Sequence, residues 1–369
     1  MSKVLLGDVA VEHKETCKGS KDGYPIVGLE HLIPEEITLT AWDEGGENTF
    51  SKMFRKGNVL FGRRRAYLKK AAVAPFDGIC SGDITVIEAK PDRILPELLP
   101  FIIQNDDLFD FAVGKSAGSL SPRVKWEHLK NYEFELPDME KQKELAELLW
   151  AMDNTKKSYQ KLIAATDELV KSQFIEMFKS IQRDEYKPLK EVCTLITDGT
   201  HNPPKFKDSG IPFILVSNIT GNVVTYDTPK YISEDDYNIL MKRTPIEKGD
   251  VLLSTVGSYG HPAIVTEDRP FAFQRHIAHL KPNRELLTSE FLHAAILSSV
   301  VQEQIEVSVL GVAQKTLNLS AIKQIQIPVP TIDEQKLFVT FVEQSDKSKL
   351  LISKLEEFTL MDYRGHGKM

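Results

Sequence analysis

The amino-acid sequence repeats itself once, in order, over nearly its whole length, and this repeat constrains the fold more than any other feature. The opening Leu6-Gly7-Asp8-Val9 matches Leu189-Lys190-Glu191-Val192, and much later Gly118 matches Gly311. The offset between matching residues grows from 183 at the first pair to 193 at the last. A chain of this kind is expected to fold as two similar units, with the insertions of the second unit placed in loops.

Further matches lie between the first and the last matching pair. They support a duplicated ancestral module, because so many matches in one order are hard to obtain by chance. They are Gly23-Tyr24-Pro25-Ile26 with Gly210-Ile211-Pro212-Phe213, Gly57-Asn58-Val59-Leu60 with Gly249-Asp250-Val251-Leu252, Glu97-Leu98-Leu99 with Glu290-Phe291-Leu292, and residues 132–137 with residues 325–330. A period of about 190 residues is too long for a solenoid, whose repeats have about 20–45 residues, so two domains with separate cores are expected.

Each repeat leads into a long helical pattern that starts just after a proline. Asp138 and Thr331 are suitable capping residues, and each is followed by an acid in the first turn. We predict a central helix at 138–182 and a C-terminal segment at 331–369, whose helix ends near Met361 before a polar tail.

Apolar and small residues recur along both helices at steps of three and four, which predicts an antiparallel coiled coil. The predicted seam consists of Leu145, Leu148, Met152, Tyr159, Leu162 and Leu169 from the first helix and Phe338, Phe341, Ile352 and Leu355 from the second.

The segments ahead of the two helices, 1–137 and 183–330, are predicted to be mixed units with more strand than helix, so the fold class is α+β. Strands are expected at 4–9, 84–87, 132–136, 250–253 and 262–265, and helical patches near 95–103 and 290–297. Glycine and proline turns separate them, as in Asp198-Gly199 and Gly221-Asn222.

Composition limits the kind of partner that the chain can bind. The 369 residues carry a net charge of −7, so the protein is not a general basic coat for nucleic acid, and DNA binding would need local patches. No apolar run approaches a membrane span, and Asp8 interrupts the N-terminus too early for a signal peptide. The three cysteines lie far apart without metal-ligand spacing, which is typical of reduced thiols, so we expect a cytoplasmic protein.

Positive charge is concentrated in residues 51–70, which hold eight basic side chains and no acidic one. Arginines in a loop can neutralise phosphates, and one of them can form a forked contact with guanine. The candidate DNA contacts here are Lys56, Arg63, Arg64, Arg65, Tyr67 and Lys69. The alternative is a charged loop that contacts only solvent.

The matching loop of the second repeat has hydroxyl and aromatic groups in place of guanidinium groups. Its candidates are Ser254, Ser258, Tyr259 and His261. Such a difference at matching positions is expected if two units share a scaffold and recognise different targets.

Three further regions supply candidate contacts, although for each single residue a plain surface role is equally consistent with the sequence. They are Ser116, Ser119, Ser121 and Arg123 with the matching Gln314 and Lys315; Thr200, His201 and Lys205; and Gln274, Arg275 and His276. Because His276 and His279 alternate along a predicted strand, one of the two could instead be packed in the core.

Motifs for catalysis are missing from the sequence. Asn202-Pro203-Pro204-Lys205 is superficially similar to the Asn/Asp-Pro-Pro-aromatic motif of amino-methyltransferases, but its fourth residue is lysine and no glycine-rich cofactor loop precedes it. There is no phosphate-binding P-loop, no His/Cys metal spacing and no Gly-x-Ser-x-Gly elbow. We therefore predict a non-catalytic protein with no metal.

Together, the ordered duplicated motifs resemble a specificity subunit of a type I restriction–modification system over nearly the whole chain. The residues that carry this resemblance are Gly57-Asn58-Val59-Leu60, Gly249-Asp250-Val251-Leu252, Asp198-Gly199-Thr200-His201, Gly210-Ile211-Pro212-Phe213 and the helix starts at Pro137 and Pro330.

The resemblance implies that each globular unit is a target recognition domain for double-stranded DNA and that the paired helices space the two domains with approximate two-fold symmetry. It also implies a bipartite target, two methyltransferase subunits that bring S-adenosylmethionine, and restriction subunits that bring ATP hydrolysis and Mg²⁺. No cofactor is expected in this chain.

Besides a silent or recombination-donor copy of the same family, three alternatives remain open on sequence alone. One is a recognition module of another multi-subunit DNA methyltransferase or restriction system, and the second is a coiled-coil scaffold that binds only protein. The third is a single-chain restriction–methylation enzyme, against which the length argues, because no residues remain for catalytic domains.

Overall fold

The computed structural model describes residues 2–45, 48–311 and 315–366, with side chains described as far as residue 355. The chain divides into two compact units. Unit 1 comprises residues 1–161 and 353–369, and unit 2 comprises residues 162–352. Within the described residues, no helix combines the length and apolar character that crossing a membrane requires.

Unit 1 contains one two-stranded sheet and two four-stranded sheets. Its strands are β1 (Ser2–Leu5), β2 (Ala10–Glu12), β3 (Pro25–Val27), β4 (Asp43–Glu44), β5 (Lys52–Phe54), β6 (Val59–Gly62), β7 (Ala71–Val73), β8 (Gly78–Cys80), β9 (Ile84–Ala89) and β10 (Glu133–Leu136). Its α-helices are α1 (Leu6–Val9), α2 (Leu99–Ile103), α3 (Asp106–Gly114), α4 (Trp126–Leu129) and the first part of the long helix α5 (Met139–Phe178). The strand orders are β1-β10, β2-β9-β6-β7 and β4-β3-β8-β5.

Unit 2 repeats this plan. Its strands are β11 (Lys187–Pro188), β12 (Cys193–Asp198), β13 (Ile211–Ile214), β14 (Tyr231–Ile232), β15 (Val251–Ser254), β16 (Pro262–Ile264), β17 (Ala272–Phe273), β18 (Ile277–Pro282) and β19 (Gln326–Ile327). Its helices are the second part of α5, then α6 (Leu189–Val192), α7 (Glu234–Met241), α8 (Ser289–Leu297), α9 (Ser299–Ser308), α10 (Leu319–Gln324) and most of α11 (Ile332–His366). The strand orders are β11-β19, β12-β18-β15-β16 and β14-β13-β17.

The repeated Gly-(Asn/Asp)-Val-Leu motif forms the turn that starts the central strand of each unit. Gly57 and Gly249 have φ angles of 88° and 89°, a conformation that favours glycine. The next side chain closes the turn: Asn58 Oδ1 accepts the N–H of Arg55 at 2.8 Å, and Asp250 Oδ2 accepts the N–H of Glu247 at 2.9 Å. The duplicated α+β architecture predicted from the sequence is therefore confirmed.

The long helices contribute directly to the core of each unit. In unit 1, Leu145, Ala146 and Leu149 of α5 pack with the buried residues of the sheet and of helices α2 and α3. In unit 2, the second part of α5 contributes Phe174 and Phe178. These rings contact Phe338 of α11 at centroid distances of 5.4 and 5.6 Å, and Phe291 at 5.8 and 5.3 Å.

A buried glutamine joins each long helix to the globular part of its unit. Gln142 Oε1 accepts the N–H of Leu95 at 2.8 Å, and its amide donates to the carbonyl of Pro137. Gln335 Oε1 accepts the N–H of Thr288 at 2.9 Å, and its amide donates to the carbonyls of Pro330 and Leu286. These bonds explain why both helix starts carry glutamine at the same position, since a buried amide must be satisfied.

The predicted helix caps are also present. Asp138 Oδ1 accepts the N–H of Lys141 at 3.0 Å. Thr331 Oγ1 accepts the N–H of Glu334 at 3.4 Å, and the Glu334 carboxylate accepts the N–H of Thr331 in return. This reciprocal pair is a capping box.

The predicted seam is shifted by about one residue along the first helix. Leu148, Leu162 and Leu169 are 43%, 50% and 53% exposed, so their assignment to a buried seam was wrong. The more buried positions follow steps of three and four in another phase in two stretches: Gln142, Ala146, Leu149 and Asp153, and then Ile163, Asp167, Val170 and Phe174. The error arose because several positions of this stripe are polar or charged, whereas large apolar residues lie beside it.

Other seam predictions have mixed outcomes. Leu145 and Phe338 are buried, whereas Leu355 is 53% exposed. The remaining members, which are half-buried, are Met152, Tyr159, Phe341 and Ile352.

Within unit 2 the two long helices meet in antiparallel order. Lys349 Nζ lies 2.8 Å from Asp167 Oδ1, while Phe174, further along α5, contacts Phe338, which is earlier in α11. The coiled coil along the full length of both helices stays a prediction.

Two element boundaries differ from the sequence expectations. The predicted strand at 4–9 ends at Leu5, because the Asp8 carboxylate accepts the N–H of Leu5 at 3.0 Å and starts the helical turn α1. Helix α11 continues past Met361 to His366, since no proline or glycine interrupts it before Gly365.

Candidate nucleic-acid interface

Most of the predicted contact loops of unit 1 meet at one end of its central sheet. Strands β6 and β9 are antiparallel neighbours with Gly62 opposite Ile84, so the loop after β6 lies beside the loop before β9. The Arg63 N–H donates to the carbonyl of Asp83, and the backbone of Arg64 pairs with that of Arg123 in an isolated bridge. We call residues 63–65, 81–83 and 116–123 loop cluster 1.

Two arginines of loop cluster 1 share the carboxylate of Asp83. Arg123 Nε donates to Asp83 Oδ1 at 2.6 Å and Arg123 Nη2 to Oδ2 at 3.3 Å. Arg64 Nη1 donates to Oδ2 at 3.4 Å, and its Nη2 donates to Ser121 Oγ at 3.1 Å. The Arg123 guanidinium, followed by Arg64, lowers the pKa of Asp83, so this carboxylate is ionised at neutral pH.

Arg63 and Arg65 differ from these two arginines. Within the part of the chain that the structure describes, neither side chain forms an ion pair, although the Nε atoms of Arg63 and Arg64 are both buried without a hydrogen-bond partner. Arg65 has a positive φ of 55°, which is uncommon outside glycine, and its N–H donates to the carbonyl of Pro122 at 2.8 Å. These arginines are the better candidates for phosphate contact because no carboxylate neutralises them.

Much of the other positive charge in residues 51–70 is already neutralised. Arg55 is paired with Glu15 and Asp77, and the predicted contact Lys69 is paired with Asp106. Tyr67 is exposed beside this pair. Lys56 is also exposed, but it lies before β6, at the opposite strand end from Arg63. The structure therefore separates Lys56 from loop cluster 1, and its assignment as a DNA contact is not supported by its position.

The three predicted serines all lie in loop cluster 1, in different environments. Ser116 Oγ donates to the carbonyl of Ala112 at the end of α3, and Ser121 accepts from Arg64, as described above. Ser119 is exposed. Ser119 is therefore the most accessible hydroxyl of the three.

Unit 2 has the same arrangement at the same strand ends. Ser254, the last residue of β15, lies opposite Ile277, the first residue of β18. The Thr255 N–H donates to the carbonyl of His276, and the backbone of Val256 pairs with that of Thr316. We call residues 198–201, 255–259, 274–276, 308–311 and 315–316 loop cluster 2. The predicted contact Gln314 lies outside the described residues.

A carboxylate also joins two loops of this region. Lys315 Nζ lies 2.8 Å from Glu306 Oε1, and the Tyr259 hydroxyl donates to Glu306 Oε2. Lys315 Nζ is also 3.3 Å from the Tyr259 oxygen and 5.7 Å from its ring centroid. Lys315, followed by Tyr259, lowers the pKa of Glu306, and the Glu306 carboxylate raises the pKa of Lys315.

Within loop cluster 2, the loop after β12 lies directly against residues 273 and 274 because Gly199 has no side chain. A Cβ atom at Gly199 would lie 2.3 Å from the carbonyl oxygens of Phe273 and Gln274. The backbone of Thr200 pairs with that of Gln274. This close approach explains the Asp-Gly-Thr sequence of the loop.

The side chains of this loop are mainly polar and exposed. His201 Nε2 lies 2.6 Å from Asp198 Oδ2, and Asp198 is also paired with Arg243. Lys205 is exposed at the far end of the loop.

The segment Gln274-Arg275-His276 projects beside these residues. Arg275 is exposed, and its Nε donates to His276 Nε2 at 3.1 Å. Burial, followed by the charges of Arg275 and His201, lowers the pKa of His276, so this imidazole is neutral at pH 7. The buried member of the alternating pair is His279, which is 0% exposed and lies 2.7 Å from Asp250.

Two predicted contacts in the loop after β15 have structural roles. Ser254 is fully buried, and its hydroxyl accepts the N–H of His261 at 2.9 Å, so its assignment as a DNA contact was wrong. His261 is half-buried at the start of β16, whereas Ser258 is exposed. The hydroxyl of Ser254 closes the loop, and Ser258 presents its own hydroxyl to solvent.

Two cysteine thiols are buried in the cores of the two units. Cys80 and Cys193 are buried, and burial raises the pKa of each thiol to about 12, which makes both unreactive at neutral pH. Among the described residues, no group of three or more His, Cys, Asp and Glu side chains could hold a metal ion.

Sequence reasoning missed Asp83 and Glu306, each of which is bonded to a predicted contact residue, and Arg243, which is bonded to Asp198 beside the predicted contacts Thr200 and His201. Asp83 directly precedes a predicted strand that lies opposite the arginine loop, and this could have identified it. Glu306 belongs to a helix, and its closeness to Lys315 depends on tertiary packing.

Both copies of the repeat match one known protein family. Residues 6–165 and 184–357 both match the family described as Type I restriction modification DNA specificity domain. The chain is 29% identical over 239 residues to the type I restriction enzyme EcoBI specificity subunit of Escherichia coli, covering 57% of this chain and 50% of that subunit. It is 21% identical over 343 residues to the MjaVIII specificity subunit of Methanocaldococcus jannaschii, covering 87% and 75%.

Two solved structures share the fold over the whole chain. A chain from a study of complex assembly and conformational transition of the type I R-M system superimposes with a TM-score of 0.59 at 21% identity, covering 100% of this chain and 95% of that one. The S subunit of a type I restriction–modification system from M. genitalium gives a TM-score of 0.52 at 13% identity, with the same coverage. The match to the EcoBI subunit, by contrast, spans only half of that protein's length.

Proposed function

Because this chain belongs to the family of type I restriction modification DNA specificity domains, we propose that it is the DNA-recognition subunit of a type I restriction–modification complex. The observation that carries the proposal is the pair of loop clusters. Each unit gathers polar and cationic loops at the same strand ends of the same sheet, yet the side chains differ between the units.

The proposed target is bipartite double-stranded DNA. Each unit would recognise one short element, and the two elements would differ because loop cluster 1 offers several guanidinium groups, whereas loop cluster 2 offers mainly hydroxyl, amide and imidazole groups with one arginine, Arg275, and one lysine, Lys315. Arginine donors suit phosphates and the O6/N7 edge of guanine, and amide groups suit adenine. Bases between the two elements would remain unread, in the way that half-site spacing follows protein geometry in dimeric repressors.

Helix α5 would set the distance between the two elements. Its 40 residues correspond to a rod of about 60 Å at about 1.5 Å per residue. Contacts of α5 to unit 1 extend to Lys157, which lies 3.4 Å from Thr38 Oγ1, and its ion pair in unit 2 is at Asp167. A heptad inserted near Ser158 would add about 10 Å, or about three base pairs, while keeping the helical phase.

Catalysis would take place in partner subunits. The proposed partners are two methyltransferase subunits, which supply S-adenosylmethionine and flip the target adenine, and restriction subunits, which supply ATP hydrolysis with Mg²⁺. We propose residues 1–137 and 183–330 as the two recognition domains and residues 138–182 and 331–369 as the helical scaffold. A cytoplasmic location would follow from the DNA target.

The test is a genome-wide map of methylated adenines in cells with this gene, without it, and with the heptad insertion. We expect one bipartite methylated sequence that disappears without the gene and returns with a spacer about three base pairs longer. Methylation that is unchanged by removing the gene would refute the recognition role, and altered half-sites with an unaltered spacer would refute the role of α5.

A further inference from the structure

In each loop cluster, one carboxylate bonds side chains from two loops together. This carboxylate is not itself one of the predicted contact residues. In unit 1, Asp83 accepts hydrogen bonds from Arg123, on the loop after α3, and from Arg64, on the loop after β6. The Asp83 side chain is 20% exposed, so part of its carboxylate remains accessible to solvent within loop cluster 1. Its own loop is fixed, because the Asp83 N–H donates to Ser81 Oγ at 3.2 Å.

The bonds to Asp83 fix the orientation of two planar groups and leave some of their donors free. Arg123 uses Nε and Nη2, and Arg64 uses Nη1 on Asp83 and Nη2 on Ser121. An arginine has five N–H donors in a rigid fork, so Arg123 keeps the rest of its fork for a base edge or phosphate. A flexible arginine would have to be ordered on binding, which costs affinity and selectivity.

Unit 2 achieves the same result with a different element. Glu306 comes from helix α9 and holds Lys315 and Tyr259, which belong to the two loops that match those of Arg123 and Arg64. The matching bridges, Val256 with Thr316 and Arg64 with Arg123, show that these loops occupy equivalent places. Asp83 and Glu306 do not occupy matching positions of the repeat. The two units therefore share a carboxylate that bonds two loops together, but they place it on different elements.

We propose that Asp83 and Glu306 are positioning residues for specificity: Asp83 fixes two arginine side chains for one half-site, Glu306 fixes the Lys315 ammonium and the Tyr259 ring for the other, and both disfavour DNA that does not match. This inference rests on the proposed function and adds the residues that set discrimination. A carboxylate at a DNA-facing surface repels phosphates on every sequence. A matching base edge can engage the pre-positioned donors, whereas a mismatched one meets the repulsion without that compensation.

The proposal predicts effects of opposite sign on specific and non-specific binding. In Asp83→Asn and Glu306→Gln, removing one negative charge should strengthen non-specific binding and steepen the salt dependence by about one unit. Releasing the donors should at the same time lower the discrimination at one half-site by on the order of tenfold. A purely structural role would weaken both kinds of binding together.

The experiment uses the full chain assembled with its methyltransferase subunits and a duplex library randomised in both half-sites. Bound duplexes are sequenced, and the dissociation constants for the preferred and a random duplex are measured at several salt concentrations. The matched control is Asp77→Asn, which removes a carboxylate paired with Arg55 in the same unit but beside Lys56, outside loop cluster 1. We expect this control to retain wild-type discrimination at both half-sites.

We expect Asp83→Asn to relax one half-site only and Glu306→Gln to relax only the other. Unchanged discrimination in both, or weaker binding to all duplexes alike, overturns the proposal. If Asp83→Asn does not assemble, Arg123→Lys decides, because it keeps the charge and loses the fork: it should relax one half-site without changing the salt slope. An unchanged half-site in that variant would equally overturn the proposal.

Failure of this inference can be told apart from failure of the proposed function. If the wild-type complex selects no sequence from the library, the recognition role itself is wrong. If the wild-type complex selects a bipartite sequence that neither variant alters, the recognition role stands and the positioning role of the two carboxylates is wrong.

Discussion

Units 1 and 2 share the backbone bridges that hold their loop clusters together and carry different side chains on these loops. The pairs that hold the loops together, Arg64 with Arg123 and Val256 with Thr316, are backbone bridges that do not depend on side-chain identity. The buried strands beneath them, β6 and β15, have the same register with their neighbours. A scaffold closed by main-chain bonds leaves the outward side chains free to diverge, and this divergence allows two different targets.

The interiors of the two units have diverged as well. Unit 2 packs four phenylalanines around the junction of its long helices, whereas Leu145 stands in unit 1 at the position of Phe338. Unit 2 also buries His279 against Asp250, while Asn58 and Val86 occupy the matching places in unit 1. Because of these differences, the stabilities of the two units should respond differently to substitutions and to pH, and this can be measured in the full chain.

The largest expected difference concerns the aromatic core. Phe338→Ala is expected to cost about 3–5 kcal/mol of unfolding free energy, and Leu145→Ala about 2–3 kcal/mol, because the phenylalanine leaves the larger cavity. All tryptophans, at positions 42, 126 and 150, lie in unit 1. In urea unfolding of the full chain, Phe338→Ala should shift the circular dichroism transition more than the tryptophan fluorescence, and Leu145→Ala should shift the fluorescence. A larger shift of the tryptophan fluorescence in Phe338→Ala than in Leu145→Ala would contradict the presence of two separate cores.

The buried hydrogen-bonded pair of His279 and Asp250 in unit 2 can be replaced by the residues of unit 1. Asp250→Asn or His279→Val alone should destabilise by about 3 kcal/mol, because each leaves a buried polar partner uncompensated. The double variant should lie within about 1 kcal/mol of the wild type, since it reproduces the Asn–Val combination of unit 1. Urea unfolding of all four proteins measures the coupling. Strictly additive losses would show that the unit 1 pair does not fit the unit 2 core.

Unit 2 also carries a buried titratable group where unit 1 has none. Burial lowers the pKa of His293 to about 4, and Pro100 occupies the matching position in unit 1. Between pH 6.5 and 4 the unfolded chain binds a proton that the folded chain does not, so stability falls as pH falls through this window. From pH 7 to pH 5 this group should remove about 2 kcal/mol of stability.

The control for this pH effect is His293→Gln, compared with the wild type by urea unfolding at pH 7 and pH 5. The variant should lose less stability over this range, because the remaining titrating groups are common to both proteins. Equal losses in the two proteins would mean that His293 is protonated in the folded state as readily as in the unfolded state.

The smallest expected effect concerns the contact between the long helices in unit 2. Lys349→Ala, which breaks a partly exposed ion pair with Asp167, should cost about 0.5–1 kcal/mol. Lys156 has the matching position in unit 1, where its Nζ lies 3.4 Å from the carbonyl of Glu35 and, among the described residues, forms no ion pair, so Lys156→Ala should stay within about 0.5 kcal/mol of the wild type. Thermal unfolding of Lys349→Ala, Asp167→Ala and the double variant measures the interaction energy of the pair. An interaction energy of zero would show that this contact does not stabilise the packing of the two helices.

The sequence was sufficient to predict the duplication, the two long helices and most of the loops that meet at the strand ends. These features depend on periodicity, caps and turns, which are local: the Gly-(Asn/Asp) turn and the Asp138 and Thr331 caps form within three or four residues. The buried seam could not be placed in this way, because its stripe includes Asp153 and Asp167 beside more apolar positions.

Side-chain partners also escaped prediction because they depend on tertiary contact. Arg55 and Lys69 look like free cations in the sequence, yet each has an acidic partner from a distant segment. Ser254 resembles an exposed hydroxyl in a polar loop, but its position as the last residue of β15 buries it.

Photocrosslinking of the assembled complex to its DNA target tests the central claim most directly. A photoreactive residue is placed at Ser119 in loop cluster 1, at Ser258 in loop cluster 2, or at Lys56 beyond the other end of β6, all of which are exposed. We predict that Ser119 and Ser258 crosslink to different half-sites and that Lys56 does not crosslink. Crosslinks from Lys56 with none from Ser119 or Ser258 would show that DNA binds elsewhere on the two units.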